Sequence, residues 1–254
     1  MKRVLAVGGS DSSGGAGIQA DVKTLHLMGV HASTVVTAVT AQSSTDVHLV
    51  HELSEQVVRA QLRAVLDDLG ADVVKTGMLA SAGAVRAVVT AVAGLPLVVD
   101  PVGVSSTGQS LLTPEGLELL RSELLPLATV VTPNLAEVEA LTGTSSTDLV
   151  EAAKAVHALG PRWVLVTGGH RDGPPHDLLY DGTTATELVG RRIDTQHTHG
   201  TGCTLAAALA GFLALGDDVP QAARKAKDLT AAAIAGGYPM GAGSGPVRQV
   251  APGQ

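Results

Sequence analysis

A chain of 254 residues that is 45% apolar can bury one large core, so a single domain over 1–254 is expected. A formal charge of −7 and only four aromatics (Trp163, Tyr180, Phe212, Tyr238) exclude a nucleic-acid groove, which needs a basic face and stacking platforms. The lone cysteine, Cys203, excludes an internal disulfide or a cysteine-rich zinc site, and no uncharged apolar run reaches the roughly 18 residues of a membrane span, so a cytoplasmic protein without a membrane partner is expected.

Along the chain, short Val/Leu/Ala runs alternate with stretches of helical period. A strand over 4–7 leads to a helix over 16–28, with Ile18, Val22, Leu25 and Met28 on one face and Gly29 as a stop. A strand over 33–39 precedes a helix over 55–69, capped by Ser54 and closed by Gly70, with Val58, Leu62, Val65, Leu66 and Leu69 inward. Strands over 72–74, 97–99, 129–131 and 163–166 alternate with helices over 82–93, 134–141 and 147–159. Residues 177–193 read as antiparallel strands about Asp181-Gly182, and an apolar helix over 203–215 ends at Gly216. Continuous apolar strands separated by amphipathic helices define an α/β protein whose mostly parallel sheet is covered on both faces.

The junctions after the strands carry more information than the strands. "AVGG" opens into "SDSSGGAG", "VVTAVT" into "AQSS", "VVK" into "TGML", "LVVD" into "PVG", "TVVT" into "PNLAE" and "VLVT" into "GGH". Ligands of open α/β sheets sit beyond the carboxyl ends of the strands, so these polar, Gly-rich turns should converge on one crevice. Two nucleotide motifs fail the test of context. Gly15, Gly17 and Ala20 fit G-x-G-x-x-A, but residues 8–14 separate them from the strand and no acidic residue closes the next one; no G-x-x-x-x-G-K-[ST] occurs.

"HTHGTGCTLAAALAGF" (197–212) sets Gly200, Thr201 and Gly202 directly before Cys203 at the start of a helix. Unsatisfied N–H groups at the positive end of a helix dipole bind anions. The same dipole is expected to lower the pKa of the thiol, making Cys203 a proton acceptor or reactive thiolate. His197 and His199 have no third ligand nearby in sequence, and His199 is expected to support the anion loop.

Across nearly its whole length the sequence resembles the hydroxymethylpyrimidine and phosphomethylpyrimidine kinases of thiamine synthesis, within the ribokinase-like superfamily. The resemblance rests on "SGGAGIQADVKT" (13–24), "TAVTAQ" (37–42), "KTGML" (75–79), "VVDPV" (98–102), "TPNLAE" (132–137), "GGH" (168–170), "THGTGCT" (198–204) and "GAGSGP" (241–246), in the family's order. It implies a single-domain, three-layer αβα sandwich of ribokinase-like fold, and ATP-dependent phosphorylation of 4-amino-5-hydroxymethyl-2-methylpyrimidine and then of its monophosphate. It implies Mg2+ as cofactor, small-molecule substrates and a homodimer.

By the same resemblance, Asp21 and Gln42 read the aminopyrimidine edge, with Gly9 beside them and Met78 and Val102 closing over the ring. Residues 200–203 form the catalytic anion hole, Cys203 standing where most of the superfamily has aspartate. Asp100 and Glu137 serve the metal; Asn134, Glu137, Thr167, Gly168, Gly169 and Thr198 serve the nucleotide. Two positions depart from the family: Thr167 replaces a lysine, and "SSTG" (105–108) replaces an "AKSG"-like segment, with Lys75 or Arg171 as candidate replacements for the lost charge. A pyridoxal or pyridoxine kinase of the same branch and a non-catalytic vitamin-binding protein are the alternatives.

Overall fold

Strand β1 (Arg3–Asp11) sends Leu5 and Val7 into one apolar core and Val4 into another, the two-residue period expected of a strand buried on both faces. Strand β5 (Leu97–Val99) repeats the pattern, with Leu97 and Val99 opposed to Val98. The computed structural model describes residues 1–103, 110–169 and 175–249. Among these, β1 and β5 join β2 (His31–Gln42), β3 (Val47–Glu52), β4 (Val73–Thr76), β6 (Val130–Val131), β7 (Trp163–Val166), β8 (His176–Tyr180) and β9 (Ala185–Val189) in one nine-stranded sheet. Its order is β3-β2-β1-β4-β5-β6-β7-β8-β9, parallel from β2 to β7 and antiparallel at both edges.

Helices α1 (Gly17–Leu27), α7 (Thr201–Leu215) and α8 (Val219–Ala235) cover one face of the sheet. Helices α2 (Glu55–Ala64), α3 (Ala82–Ala91), α4 (Pro114–Leu119), α5 (Leu135–Thr142) and α6 (Leu149–His157) cover the other. The αβα sandwich expected from the sequence is present. No helix among the described residues is long and apolar enough to cross a membrane.

Three differences from the sequence reading have physical causes. The expected helix over 55–69 is α-helical only to Ala64, then widens into a π-turn over Val65–Leu69 before Gly70 closes it at φ +69°. Val22 does not share the inward face of α1: it is 37% exposed, and Asp21 and Thr24 turn inward instead. Polar side chains hold those positions because each has a buried partner, Lys75 for Asp21 and the Ala20 carbonyl for Thr24. Strand β3 and helices α4 and α8 were unread. Strand β3 is an edge with mainly exposed side chains, α4 is one short turn-and-a-half, and α8 is Ala- and Lys-rich with a weak apolar stripe.

Candidate active site

The carboxyl ends of the parallel strands and the start of α7 deliver the polar junctions to one side of the sheet. Gly200 is the N-cap of α7 at φ +87°, and a Cβ there would collide with the Gly15 carbonyl oxygen, so the loops after β1 and before α7 touch main chain to main chain. The Thr198 carbonyl accepts from the N–H and hydroxyl of Thr201 at 3.2 and 2.7 Å. The segment 242–247 braces the loop from behind: Ser244 Oγ meets the Thr198 N–H at 3.4 Å, and the Gly245 N–H donates to His197 Nδ1 at 3.2 Å. His197 and His199 therefore have separate partners. The N–H groups opening α7 face the crevice, Gly202 being exposed.

Asp100, which follows β5, lies directly across from Gly202, whose added Cβ would stand 4.0 Å from Asp100 Oδ2. That oxygen is buried and has no hydrogen-bond partner. Burial lifts the Asp100 pKa to about 6 although Lys75 pulls it down. Half-buried Glu137 is pushed up to about 8 by burial and by the neighbouring Asp100 charge. Asn134 and Glu137 form a reciprocal capping box at the start of α5: Asn134 Oδ1 accepts the Glu137 N–H at 2.9 Å, and Glu137 Oε2 accepts the Asn134 N–H at 2.8 Å. A buried oxygen without a donor beside a second carboxylate is a donor set short of a cation. Mg2+, which takes one or two carboxylates and completes its shell with water and phosphate oxygens, fits it. Among the described residues no three His, Cys, Asp or Glu side chains gather as a metal cage.

Cys203 does not have the lowered pKa expected from the helix dipole. Burial raises it to about 12; Lys75 and the Gly17 N–H pull it down, and Asp100 and Asp21 push it back up. Although Cys203 stands half-buried in the first turn of α7, its sulfur turns toward the Gly17 N–H of α1, where desolvation outweighs the dipole. Asp21 also departs from expectation. It does not open onto the crevice but lies beneath it, fully buried, with both carboxylate oxygens accepting from Lys75 Nζ at 2.8 and 2.9 Å. Burial disfavours the ammonium most strongly, but the negative charge of Asp21, Cys203 and Asp100, together with the Asp21 hydrogen bond, outweighs it and the Lys75 pKa is raised.

On the substrate side, Met78 and Val102 belong to one apolar cluster with Ala38 and Ala80, and Gly9 packs against the Met78 thioether. Gln42 ends β2 with Nε2 3.5 Å from His199 Nε2. On the other side, Gly168 donates its N–H to Asp177 Oδ1 at 3.0 Å, and the Gly169 carbonyl accepts from Arg192 at 3.2 Å. Thr167 bridges to Asn134 through the Pro133 carbonyl, at 2.9 Å from its N–H. Lys75 is committed to Asp21, while 105–108, His170 and Arg171 lie outside the described residues.

Sequence reasoning missed Asp11. Its Oδ2 accepts from Ser13 Oγ (2.8 Å), Ala16 N–H (2.8 Å), Gly15 N–H (3.1 Å) and His199 Nε2 (2.9 Å). Burial raises the Asp11 pKa, but the bonds from His199, Ala16 and Ser13 outweigh it and set the value at about 2. The available signal was a carboxylate ending an apolar strand immediately before "SSGGAG".

The profile of the family described as phosphomethylpyrimidine kinase matches residues 11–248, a span containing every one of these groups except Gly9. The chain belongs to the phosphomethylpyrimidine kinase family. A relative of this kinase from Streptomyces coelicolor, named hydroxymethylpyrimidine/phosphomethylpyrimidine kinase, is 55% identical over 249 residues, 96% of this chain and 93% of that one. The ADP complex of Bacillus subtilis pyridoxal kinase superposes with a TM-score of 0.92 at 39% identity, covering 98% of this chain and 97% of that one. Phosphomethylpyrimidine kinase from Clostridium difficile 630 gives 0.80 at 36% identity, over 92% of this chain and all of that one, 100%. The fold is that of the ribokinase-like kinases, and the protein is an ATP-dependent phosphotransferase.

Proposed function

We propose that this kinase transfers the γ-phosphoryl group of ATP to the hydroxymethyl oxygen of 4-amino-5-hydroxymethyl-2-methylpyrimidine, and then a second phosphoryl group to the resulting monophosphate. The observation that carries the reading is the opposition of the unpartnered Asp100 Oδ2 to the N-terminus of α7 at Gly202. Phosphoryl transfer needs oriented donors and a cation more than covalent chemistry; the start of α7 offers the donors, and Asp100 on the opposite wall offers a ligand for the cation. The name of the Streptomyces relative supports the substrate.

Each residue then has a task. The N–H groups of 200–203 would receive phosphate oxygens; Asp100 and Glu137 would hold Mg2+, whose charge would offset that of the transferring group. The peptide groups at Thr167, Gly168 and Gly169, with Thr198 and Asn134, line the nucleotide side. Met78, Val102 and Gly9 wall the flat ring, and Gln42 reads its amino edge by hydrogen bonds. Asp21 acts from below, by holding the Lys75 charge under the anion loop. Cys203 is the candidate acceptor of the hydroxyl proton; because its pKa is pushed up to about 12 it begins the cycle as a thiol, and it takes that proton only after losing its own to solvent. Exposed Val39 and Leu49, on one face of the β2–β3 hairpin, support a homodimer as part of the same reading.

Pyridoxal is the second substrate to test, because the closely superposing Bacillus enzyme is a pyridoxal kinase. A coupled ADP-release assay with the pyrimidine alcohol, its monophosphate and pyridoxal decides. Turnover of the first two ahead of pyridoxal is expected; pyridoxal turned over faster than the pyrimidine alcohol would replace the reading.

A further inference from the structure

We infer that His199 and Asp11 form a positioning pair that sets the separation between the substrate-side loop (9–16) and the anion loop (200–203). The inference rests on the function proposed above. One carboxylate ties both loops: Asp11 Oδ1 accepts the Ser13 N–H at 2.8 Å, Oδ2 accepts from Gly15 and Ala16, and the same Oδ2 meets His199 Nε2 at 2.9 Å. His199 is anchored from the other side by its main chain, its N–H reaching the Gly245 carbonyl at 3.2 Å and its carbonyl accepting the Val247 N–H at 3.0 Å. The imidazole lies against Gly15, where a Cβ would collide with it, and is 13% exposed.

His199 stands one residue before the α7 N-cap, Gly200, and Asp11 holds the N–H of Ala16, the N-cap of α1, next to Gly17, whose N–H pulls the Cys203 pKa down. Gln42 Nε2 and Ser13 Oγ lie 3.5 and 3.4 Å from His199 Nε2, so the side chain that reads the ring is in the same cluster. Moving the loops apart therefore displaces the thiol and the anion hole relative to the acceptor hydroxyl. Gly168 and Gly169, on the nucleotide side, are not part of this cluster.

A misplacement of about 1 Å at reacting groups costs on the order of 100-fold in rate. His199→Ala is expected to lower kcat for the pyrimidine alcohol by that factor, with the KM for ATP and the affinity for Mg2+·AMP-PCP by calorimetry changed less than about threefold. His199→Gln, whose amide N–H can reach Asp11, should recover about tenfold of the loss. Asp11→Asn should lower kcat without a further drop when combined with His199→Ala, as coupled residues require; both are measured on protein whose unfolding midpoint shows it folded. Near wild-type kcat in His199→Ala, absence of rescue by Gln, or equal losses in kcat and nucleotide affinity would overturn the positioning role. Wild-type protein inactive on all three alcohol and phosphate substrates would instead overturn the functional reading.

Discussion

Lys75 Nζ donates to both carboxylate oxygens of Asp21, at 2.8 and 2.9 Å, with each side chain 1% exposed. The pair joins β4 to α1 directly beneath Cys203, and its charges are felt by Asp100 as well as by the thiol. Removing one partner strands a buried charge, at a typical cost of about 3–5 kcal/mol. Asp21→Ala and Lys75→Met should each lower the urea midpoint accordingly, while Asp21→Leu combined with Lys75→Met should recover most of the loss. Equal destabilisation by the single and double changes would show that the pair matters through volume alone.

Asp100 and Glu137 behave in the opposite way, because each is an acid whose pKa is raised, Asp100 buried and Glu137 half-buried. The unfolded chain releases their protons first, so the folded state loses stability as pH rises from 3.8 to about 6 for Asp100 and from 4.5 to about 8 for Glu137. Asp100→Asn should therefore stabilise the ligand-free protein at pH 8, by about 1–3 kcal/mol. The same change should lower kcat by about 100-fold or more and abolish the thermal shift given by Mg2+·AMP-PCP. A destabilised Asp100→Asn protein would mean that the carboxylate is satisfied in the free enzyme.

For Cys203, a pKa near 12 leaves scarcely any thiolate at neutral pH. Alkylation of the free enzyme should be slow at pH 7 and accelerate into the alkaline range, with bound pyrimidine slowing it further. Cys203→Ala should reduce kcat by about 100-fold, the low end of general-base effects, with little change in the KM for ATP. Retention of wild-type kcat would assign the thiol to packing and leave the transfer to the main-chain donors.

Asp11 links stability to acid. Its folded pKa, about 2, is below the unfolded value of 3.8, so its contribution is complete above pH 4 and disappears as pH falls through 2. The difference corresponds to about 2 kcal/mol. Asp11→Asn should be less stable than wild type at pH 6 by that amount, and the two proteins should converge near pH 2. A constant difference between pH 6 and pH 2 would disconnect the effect from the charge.

Thr167 abuts Asn134 at a position where the family resemblance implies a lysine, and Lys75 is held by Asp21. The alcohol should be phosphorylated faster than the monophosphate, and Thr167→Lys should raise the second rate selectively, by about tenfold. A second step as fast as the first, indifferent to Thr167→Lys, would show that another cation serves it.

The sheet was legible because buried parallel strands must be apolar throughout, and the turns after them must be polar or glycine-rich wherever ligands approach. Asp100, Asn134 and residues 200–203 were visible for the same reason: each lies at such a turn. What sequence could not supply was direction. Asp21 has the same spacing from the helix start whether it faces ligand or lysine, and only the approach of β4 decides for Lys75. The Cys203 pKa likewise depends on desolvation by α1, a contact made across 186 positions between Gly17 and the thiol. Strand β3 escaped because an edge strand with exposed side chains lacks the apolar signal that marked its neighbours.

The contact of the Gly15 carbonyl with Gly200 has a consequence for how such a protein diversifies. Donors that belong to peptide groups cannot be exchanged by a substitution, only displaced, so the proposed phosphate-handling half of the crevice would be largely shielded from mutation. On the function proposed above, the ring would meet side chains, Met78, Val102 and Gln42, each of which a single codon change can replace without touching that cradle. Selection acting on substrate range thus has a free hand on one wall while the transfer machinery stays fixed on the other, and a shift between a pyrimidine and a pyridine alcohol requires no new chemistry.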